Sequence, residues 1–219
     1  DIWPIWHAVV DGKVPLLRYL EMLRFQDCIY PANYVKMRCV ENHDQPRVMA
    51  LISDRTRALA WTAFQAFNKG AFLIYAGQES GATHTPSLFD RDKIAWGDYE
   101  LQSFLTKLAH LKKDTAQMQG QFILLEAEPV LQATWLHPEG GLYGVFNIAG
   151  VGTEAFSGRV PVRLPDGIYN DVLRDVQVEV RNGHIELPDC VPAMILRYRA
   201  DIETHPCYSV LLDYHRTVA

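Results

Sequence analysis

Glu41, Asn42, His43 and Asp44 follow one another at the end of a β-branched and apolar run containing Val35, Met37, Cys39 and Val40. A carboxylate beside an imidazole pairs a negative charge with a hydrogen-bond donor. The charge of the carboxylate stabilises positive charge as it develops in a transition state, and a neutral imidazole donates a hydrogen bond to a hydroxyl. Gln45, Pro46 and Arg47 come next, and Pro46 stops the strand because it has no N–H to give to a ladder. The element that presents these groups is therefore a buried strand ending in a polar loop. An α/β barrel keeps its chemistry at such C-terminal strand ends. The same four residues also have a plain reading as a strand-to-helix loop in which Asn42 and Asp44 cap turns.

The rest of the chain bounds what that loop can belong to. Its 219 residues are 48% hydrophobic and 21% charged, an ordinary globular composition with enough apolar material for one or two cores. A net charge of −5 and a pI near 5.9 leave no basic stripe for phosphates, which weighs against nucleic acid. No apolar run approaches the ~20 residues of a membrane-spanning helix. Cys28, Cys39, Cys190 and Cys207 show no Cys-x-x-Cys spacing, so neither a zinc site nor a disulfide framework is indicated, with one bridge left open. Cys39 reads as a small core hydrophobe.

Taken in order, residues 1–30 are aromatic and then helical. Pro15 suits a first helical turn, Leu16, Leu17, Leu20, Leu23 and Phe25 make an apolar stripe, and Pro31 ends it. Trp3 and Trp6 read as core rings, with sugar stacking as the alternative. Val35–Val40 is a strand. Ser53 or Asp54 caps a helix running to about Asn68, with Arg55 and Arg57 outward and Gly70 as its stop. Ala71–Ala76 is a continuous apolar strand of the kind covered on both faces. Strand, helix and strand with short links make a right-handed βαβ unit. Residues 81–97 form a loop overhanging the strand ends. A helix follows with Leu101, Phe104, Leu105, Leu108 and Leu111 inward and Lys107, Lys112 and Lys113 outward, closing at about Thr115.

From Gln121 the apolar period changes from helical to alternating. Short strands are expected at 122–125, 130–136, 142–148, 160–164, 168–173, 176–181, 184–187 and 193–198, the spacing of an antiparallel sandwich. Asn182-Gly183 is the strongest hairpin signal. Trp135 reads as core, and Tyr143 as core or as an exposed stacking ring. His84, His110, His137, His184 and His205 read as scattered surface or capping residues. The expected division is 1–116 as barrel, 117–200 as sandwich and 201–219 as a tail, with Tyr208–Tyr214 a weak strand or helix.

Two segments in series resemble the alpha-amylase family of glycoside hydrolases. Glu41-Asn42-His43-Asp44 followed by Gln45-Pro46-Arg47 is similar to the family's fourth signature segment, at the end of the seventh barrel strand. Gly70 to Glu79, an apolar run ending in Tyr75-Ala76-Gly77-Gln78-Glu79, looks like the eighth strand. Asp1-Ile2-Trp3-Pro4 looks like the segment at the sixth strand and the helix after it. The resemblance extends from residue 1 to about 200. It implies the last βα units of a (β/α)8 TIM-type barrel followed by a β-sandwich domain.

The resemblance also implies roles. The Asp matching Asp44 is one of three catalytic carboxylates and stabilises the transition state, while His43 matches a donor to the same sugar. Asn42 and Arg47 would orient the loop, and Tyr75, Gln78 and Glu79 would lie at the rim, with Gly77 making a tight turn. In this family the nucleophilic Asp sits at the fourth strand and the acid Glu at the fifth, and neither has a counterpart here. The chain is therefore expected to be the C-terminal portion of a retaining enzyme acting on α-linked glucans or maltooligosaccharides, inactive by itself. A glucan transferase of the same family and a non-catalytic carbohydrate-binding or scaffold relative are the alternatives. No cofactor is expected. The family's calcium sites lie outside the matched positions, so no metal is carried over. Uncovered strand edges predict self-association or pairing with the other barrel half.

Overall fold

A computed structural model describes residues 2–149 and 154–199. Cys207, His205 and the expected element at Tyr208–Tyr214 lie outside the described residues, as does Asp1. Helix α1 (Trp3–Val10) opens with Pro4 in its first turn, and α2 (Leu16–Ile29) follows with Pro15 at its N-cap. The buried stripe of α2 is Leu16, Tyr19, Leu20 and Leu23. Leu17 and Phe25, expected inside, are exposed, because at about 100° per residue they fall well off the line of Leu16, Leu20 and Leu23. Trp6 is buried and meets Trp61 edge-on at 5.8 Å, so it is a core ring.

Strand β1 (Met37–Arg38), helices α3 (Val48–Leu51) and α4 (Arg55–Phe67), and strand β2 (Ala71–Phe72) form the βαβ unit. The strands are parallel, with Met37 opposite Ala71 and Arg38 opposite Phe72. Both are shorter than their apolar runs, and the reading of Val35–Val40 as a wholly buried strand is corrected. Val35 is 74% and Met37 62% exposed, since β1 and β2 pair only with each other among the described residues. Gly70 has a different use from the expected helix stop, which Asn68 provides. At Gly70 φ is +120°, and an added Cβ would lie 2.1 Å from the Lys36 carbonyl oxygen. Its missing side chain lets the start of β2 approach β1 closely enough for Ala71 N–H to donate to that oxygen at 2.9 Å.

Helix α4 is capped by Asp54, whose Oδ1 accepts from Arg57 N–H at 3.1 Å. The other carboxylate oxygen accepts from Ala155 N–H at 2.8 Å, tying the helix start to the later half of the chain. From Ala58 to Phe67 almost every residue is buried, the mark of a helix packed on all sides. That is why Arg57, expected outward, is only 4% exposed, whereas Arg55 reaches the surface and pairs with Glu100.

Helix α5 (Gln102–Leu111) and a short α6 (Thr115–Gln119), capped by Asp114, complete the helical half. Lys112 is not an outward residue of α5. Its ammonium donates to the Asn68 carbonyl at the end of α4, at 2.5 Å. Burial, and secondarily the charge of Arg38, bring its pKa down from 10.5 to about 7. Below pH 7 both folded and unfolded chains hold this proton, and the cost of the buried charge is constant. Between about pH 7 and 10.5 the unfolded chain binds more protons, so stability rises with pH by a few kcal/mol at most. Thermal melts from pH 7 to 10 are expected to show this rise, and Lys112→Met is expected to flatten it and to be more stable than the parent at pH 7.

The second half is an antiparallel assembly of β3 (Gln121–Leu124), β4 (Val130–Leu136), β5 (Gly141–Ala149), β6 (Gly158–Pro161), β7 (Gly167–Asp171), β8 (Val176–Val180), β9 (His184–Leu187) and β10 (Ala193–Tyr198). Six strands run in the order β3-β4-β5-β10-β7-β8, and β6 pairs with β9 as a separate ribbon. Alternation along β5 and β10 serves two cores. Leu142, Phe146, Ile148, Ala193 and Ile195 pack with Trp61, Phe64 and Phe67 of α4. Tyr143, Val145, Met194, Leu196 and Tyr198 pack with Val160, Ile185 and Leu187 of the ribbon. Tyr143 is thus core and not a stacking ring. One face of the large sheet thus has the helical half as its cover.

The Asn182-Gly183 turn forms with φ of 52° and 67°, the pattern of a type I′ turn. The expected long hairpin does not. Arg181 and His184 make one bridge, then β9 leaves β8 to pair with β6, because Ile185 and Leu187 belong to the ribbon-side core.

Candidate active site

Parallel pairing of β1 and β2 brings the two chemistry-bearing segments to the same end of the sheet. After β1, Val40 and Glu41 are each 1% exposed. The chain then turns outward at a tip where His43 and Asp44 are about two-thirds exposed and lie 3.3 Å apart, Nε2 to Oδ2. Asn42 shapes this tip: its Oδ1 accepts from Asp44 N–H at 2.8 Å, and Gln45 N–H donates to the Asn42 carbonyl at 3.3 Å. Burial pushes up the pKa of the Cys39 thiol two residues after the start of β1.

Arg47 is 0% exposed and joins the two segments. One terminal nitrogen donates to Glu41 Oε1 at 2.7 Å, the other to the Ala76 carbonyl at 2.9 Å, and Nε to the His84 carbonyl at 3.1 Å. Its guanidinium lies over the Tyr75 ring, 4.5 Å from the centroid. Glu41 Oε2 accepts from Val48 N–H at 2.8 Å, starting α3. Burial raises the Glu41 carboxyl above its usual range, against the pull of Arg47 and of that N–H.

The second segment turns at Gly77, where φ is +95° and an added Cβ would meet Ile94 at 2.9 Å and Arg47 at 3.2 Å. Glu79 Oε2 accepts from Gly77 N–H at 2.8 Å, so this carboxylate folds back on its own turn instead of reaching a neighbouring strand. Gln78 is buried, with Oε1 accepting from Tyr75 N–H at 3.3 Å. The structure thus brings Arg47 onto Tyr75 and holds Asn42, His43 and Asp44 in one tip after β1. Gln78 and Glu79 bond within the turn that follows Tyr75. Glu41 is the member that residue reading passed over as a site residue. Its signal was a carboxylate six positions from Arg47 across a proline, at the end of an apolar strand.

Among the described residues no three His, Cys, Asp or Glu side chains converge to hold a metal, and no helix is long and apolar enough to cross a membrane. His84 pairs with Asp92 in the overhanging loop, Nε2 to Oδ2 at 2.7 Å.

A parallel strand pair ending in paired polar loops, followed by an antiparallel double-layered domain, defines the class: an α/β unit of the barrel type with a C-terminal sheet domain. Profile comparison assigns residues 13–122 to the alpha amylase catalytic domain and 123–193 to the bacterial alpha amylase C-terminal domain. The chain belongs to the alpha-amylase family.

Among solved structures it is similar to an alpha-amylase from Lactobacillus plantarum, with 28% identity and a TM-score of 0.81 over 90% of this chain and 46% of that one. It is also similar to a noncanonic maltogenic alpha-amylase from Thermotoga neapolitana, with 28% identity and a TM-score of 0.75 over 91% of this chain and 50% of that one. A gamma-CGTase from alkalophilic Bacillus clarkii shares the fold at 18% identity and a TM-score of 0.65, over 88% of this chain and 30% of that one. The chain spans about half the length of the two alpha-amylases. Comparison with curated protein sequences finds no match.

Proposed function

We propose that the chain is the C-terminal portion of an alpha-amylase-family glycoside hydrolase that cleaves α-linked glucans with retention, and that it is inactive until the remaining barrel is supplied. Glycoside cleavage of this kind needs two carboxyl groups flanking the bond and stabilisation of an oxocarbenium-like transition state. Asp44 supplies the stabilising charge, and His43 donates to a hydroxyl of the same sugar. Asn42 and Arg47 hold the tip, and Tyr75 borders it. The observation that carries this reading is the exposed His43–Asp44 pair, 3.3 Å apart, on a buried and fully bonded base at the strand end. The 28% identical maltogenic alpha-amylase supports an α-glucan substrate.

The open edges of β1 and β2, with Val35, Met37 and Ile74 exposed beside them, favour pairing with a complementary barrel half, or self-association in its absence. A groove of about 800 Å³ runs along this edge past Tyr34, Val35, Phe72, Ile74 and Phe122. The likeness to a gamma-CGTase extends to the fold alone, so transfer to another glucan remains the variant reading, with non-catalytic glucan binding as the second.

The test is reducing-end release from soluble starch by this chain alone and mixed with the N-terminal barrel half of the Lactobacillus plantarum alpha-amylase. No release alone and release from the mixture is expected. Release by the chain alone would show that the acid and nucleophile lie within it and overturn the role given to Asp44. A mixture that binds maltoheptaose without cleaving it would favour the binding reading. A monodisperse monomer at high micromolar concentration in light scattering would remove the self-association reading.

A further inference from the structure

The Glu41–Arg47 pair does more than neutralise a buried charge. A pair serving neutrality alone would need one contact, yet the guanidinium spends each of its three nitrogens on a different segment. Nη1 donates to Glu41 after β1, Nη2 to the Ala76 carbonyl after β2, and Nε to the His84 carbonyl in the overhanging loop. Its flat face covers Tyr75. Glu41 in turn uses its second oxygen to hold Val48 N–H, so the chain on both sides of the tip is fixed by one carboxylate. The two side chains are 1% and 0% exposed.

We propose that Glu41 and Arg47 are positioning residues, a buried bolt that fixes the His43–Asp44 tip against the Tyr75–His84 segment so that the two present a single surface to a sugar. Neither side chain reaches a substrate; they act through the loops they hold. The contribution toward a sugar rests on the functional reading above, whereas the bolt itself does not.

The planar fork of Arg is what the bolt requires, since a lysine ammonium keeps the charge but cannot reach three acceptors in fixed directions. Arg47→Lys should therefore leave the chain folded and paired with Glu41 while releasing the second segment. A buried ion pair can be replaced by apolar side chains of similar size at little cost, whereas removing one partner strands the other charge. Glu41→Met/Arg47→Met should therefore recover the thermal stability that Glu41→Met alone loses.

Amide hydrogen exchange of the full chain reads the difference. Asp44 N–H (bonded to Asn42 Oδ1) and Ala82 N–H (bonded to the Gly77 carbonyl) report the two segments. Ala82 is expected to exchange about 10-fold faster in Arg47→Lys, and both amides about 10-fold faster in the double variant, with amides of β4 and β5 unchanged. Protection equal to the parent's at Ala82 in Arg47→Lys, or at Asp44 and Ala82 in the double variant, would overturn the bolt. So would acceleration spread evenly into β4 and β5, which would mark a merely structural pair. Maltoheptaose titration of the complemented parent separates the two claims. Absent binding there would sink the sugar reading, and the exchange result would decide the bolt by itself.

Discussion

Asp44→Asn, placed in this chain and assayed with the complementary barrel half, is expected to lower kcat by about 10²–10⁴ with KM changed by much less. Asn keeps the size of the side chain and its turn but removes the negative charge. If that charge stabilises an oxocarbenium-like centre, its loss is felt only as positive charge develops, and so in kcat. The exposure of the tip makes the substitution benign for folding: the Asp44 side chain is 62% exposed and pairs with His43, itself exposed. Melting temperatures of the two chains should therefore agree. A loss confined to KM would mean that Asp44 binds ground state and transition state alike, and the role assigned to it would fail.

Phe146→Ala is expected to have the largest effect on stability, about 3–5 kcal/mol, the usual cost of emptying an aromatic site in a tight core. In a chain of this size that corresponds to a fall in Tm on the order of 10 °C. The ring lies 5.3 Å from Phe64 and 5.2 Å from Phe67, between the large sheet and α4. Gly144 makes room for it, since a Cβ there would stand 2.5 Å from the ring. Trp135 adds a bond across the same junction, its indole N–H donating to the Phe67 carbonyl at 2.7 Å. Far-ultraviolet signals from helix and sheet should melt together at the lower temperature. A sheet signal that stays at the parent's midpoint while the helices melt early would contradict the shared core.

Residues carry some of this architecture openly and some not at all. Strands β4, β9 and β10 lie where the sequence pattern places them, because nearly all their side chains answer to a core on one face or the other, with Glu186 and Arg197 left to solvent. The Asp54 cap is legible for the same local reason. The turn at the tip was legible through its types, since Asn42 in a polar run after an apolar strand caps the turn there.

Other features depend on partners distant in sequence. The exposure of Val35 and Met37 depends on which strands lie beside β1, which no run of apolar residues encodes. The burial of Arg57, and the contact of the half-buried Lys112 with the Asn68 carbonyl, depend on what packs around α4 and its end. The parting of β8 and β9 is decided by the ribbon-side core and not by the turn that joins them. Glu41 escaped notice because a carboxylate in a polar loop reads as solvated until Arg47 is seen folded back over it.

The two family profiles meet between residues 122 and 123, inside β3 (Gln121–Leu124), while the packing between the halves runs through α4, β4 and β5. A recombination event at that seam would sever a strand and leave Phe64 and Phe67 facing rings chosen for a different helix. The halves are therefore poor currency for exchange between enzymes. A substitution that reshapes α4 must be matched in β5, so the sheet domain and the end of the barrel behave as one packed unit.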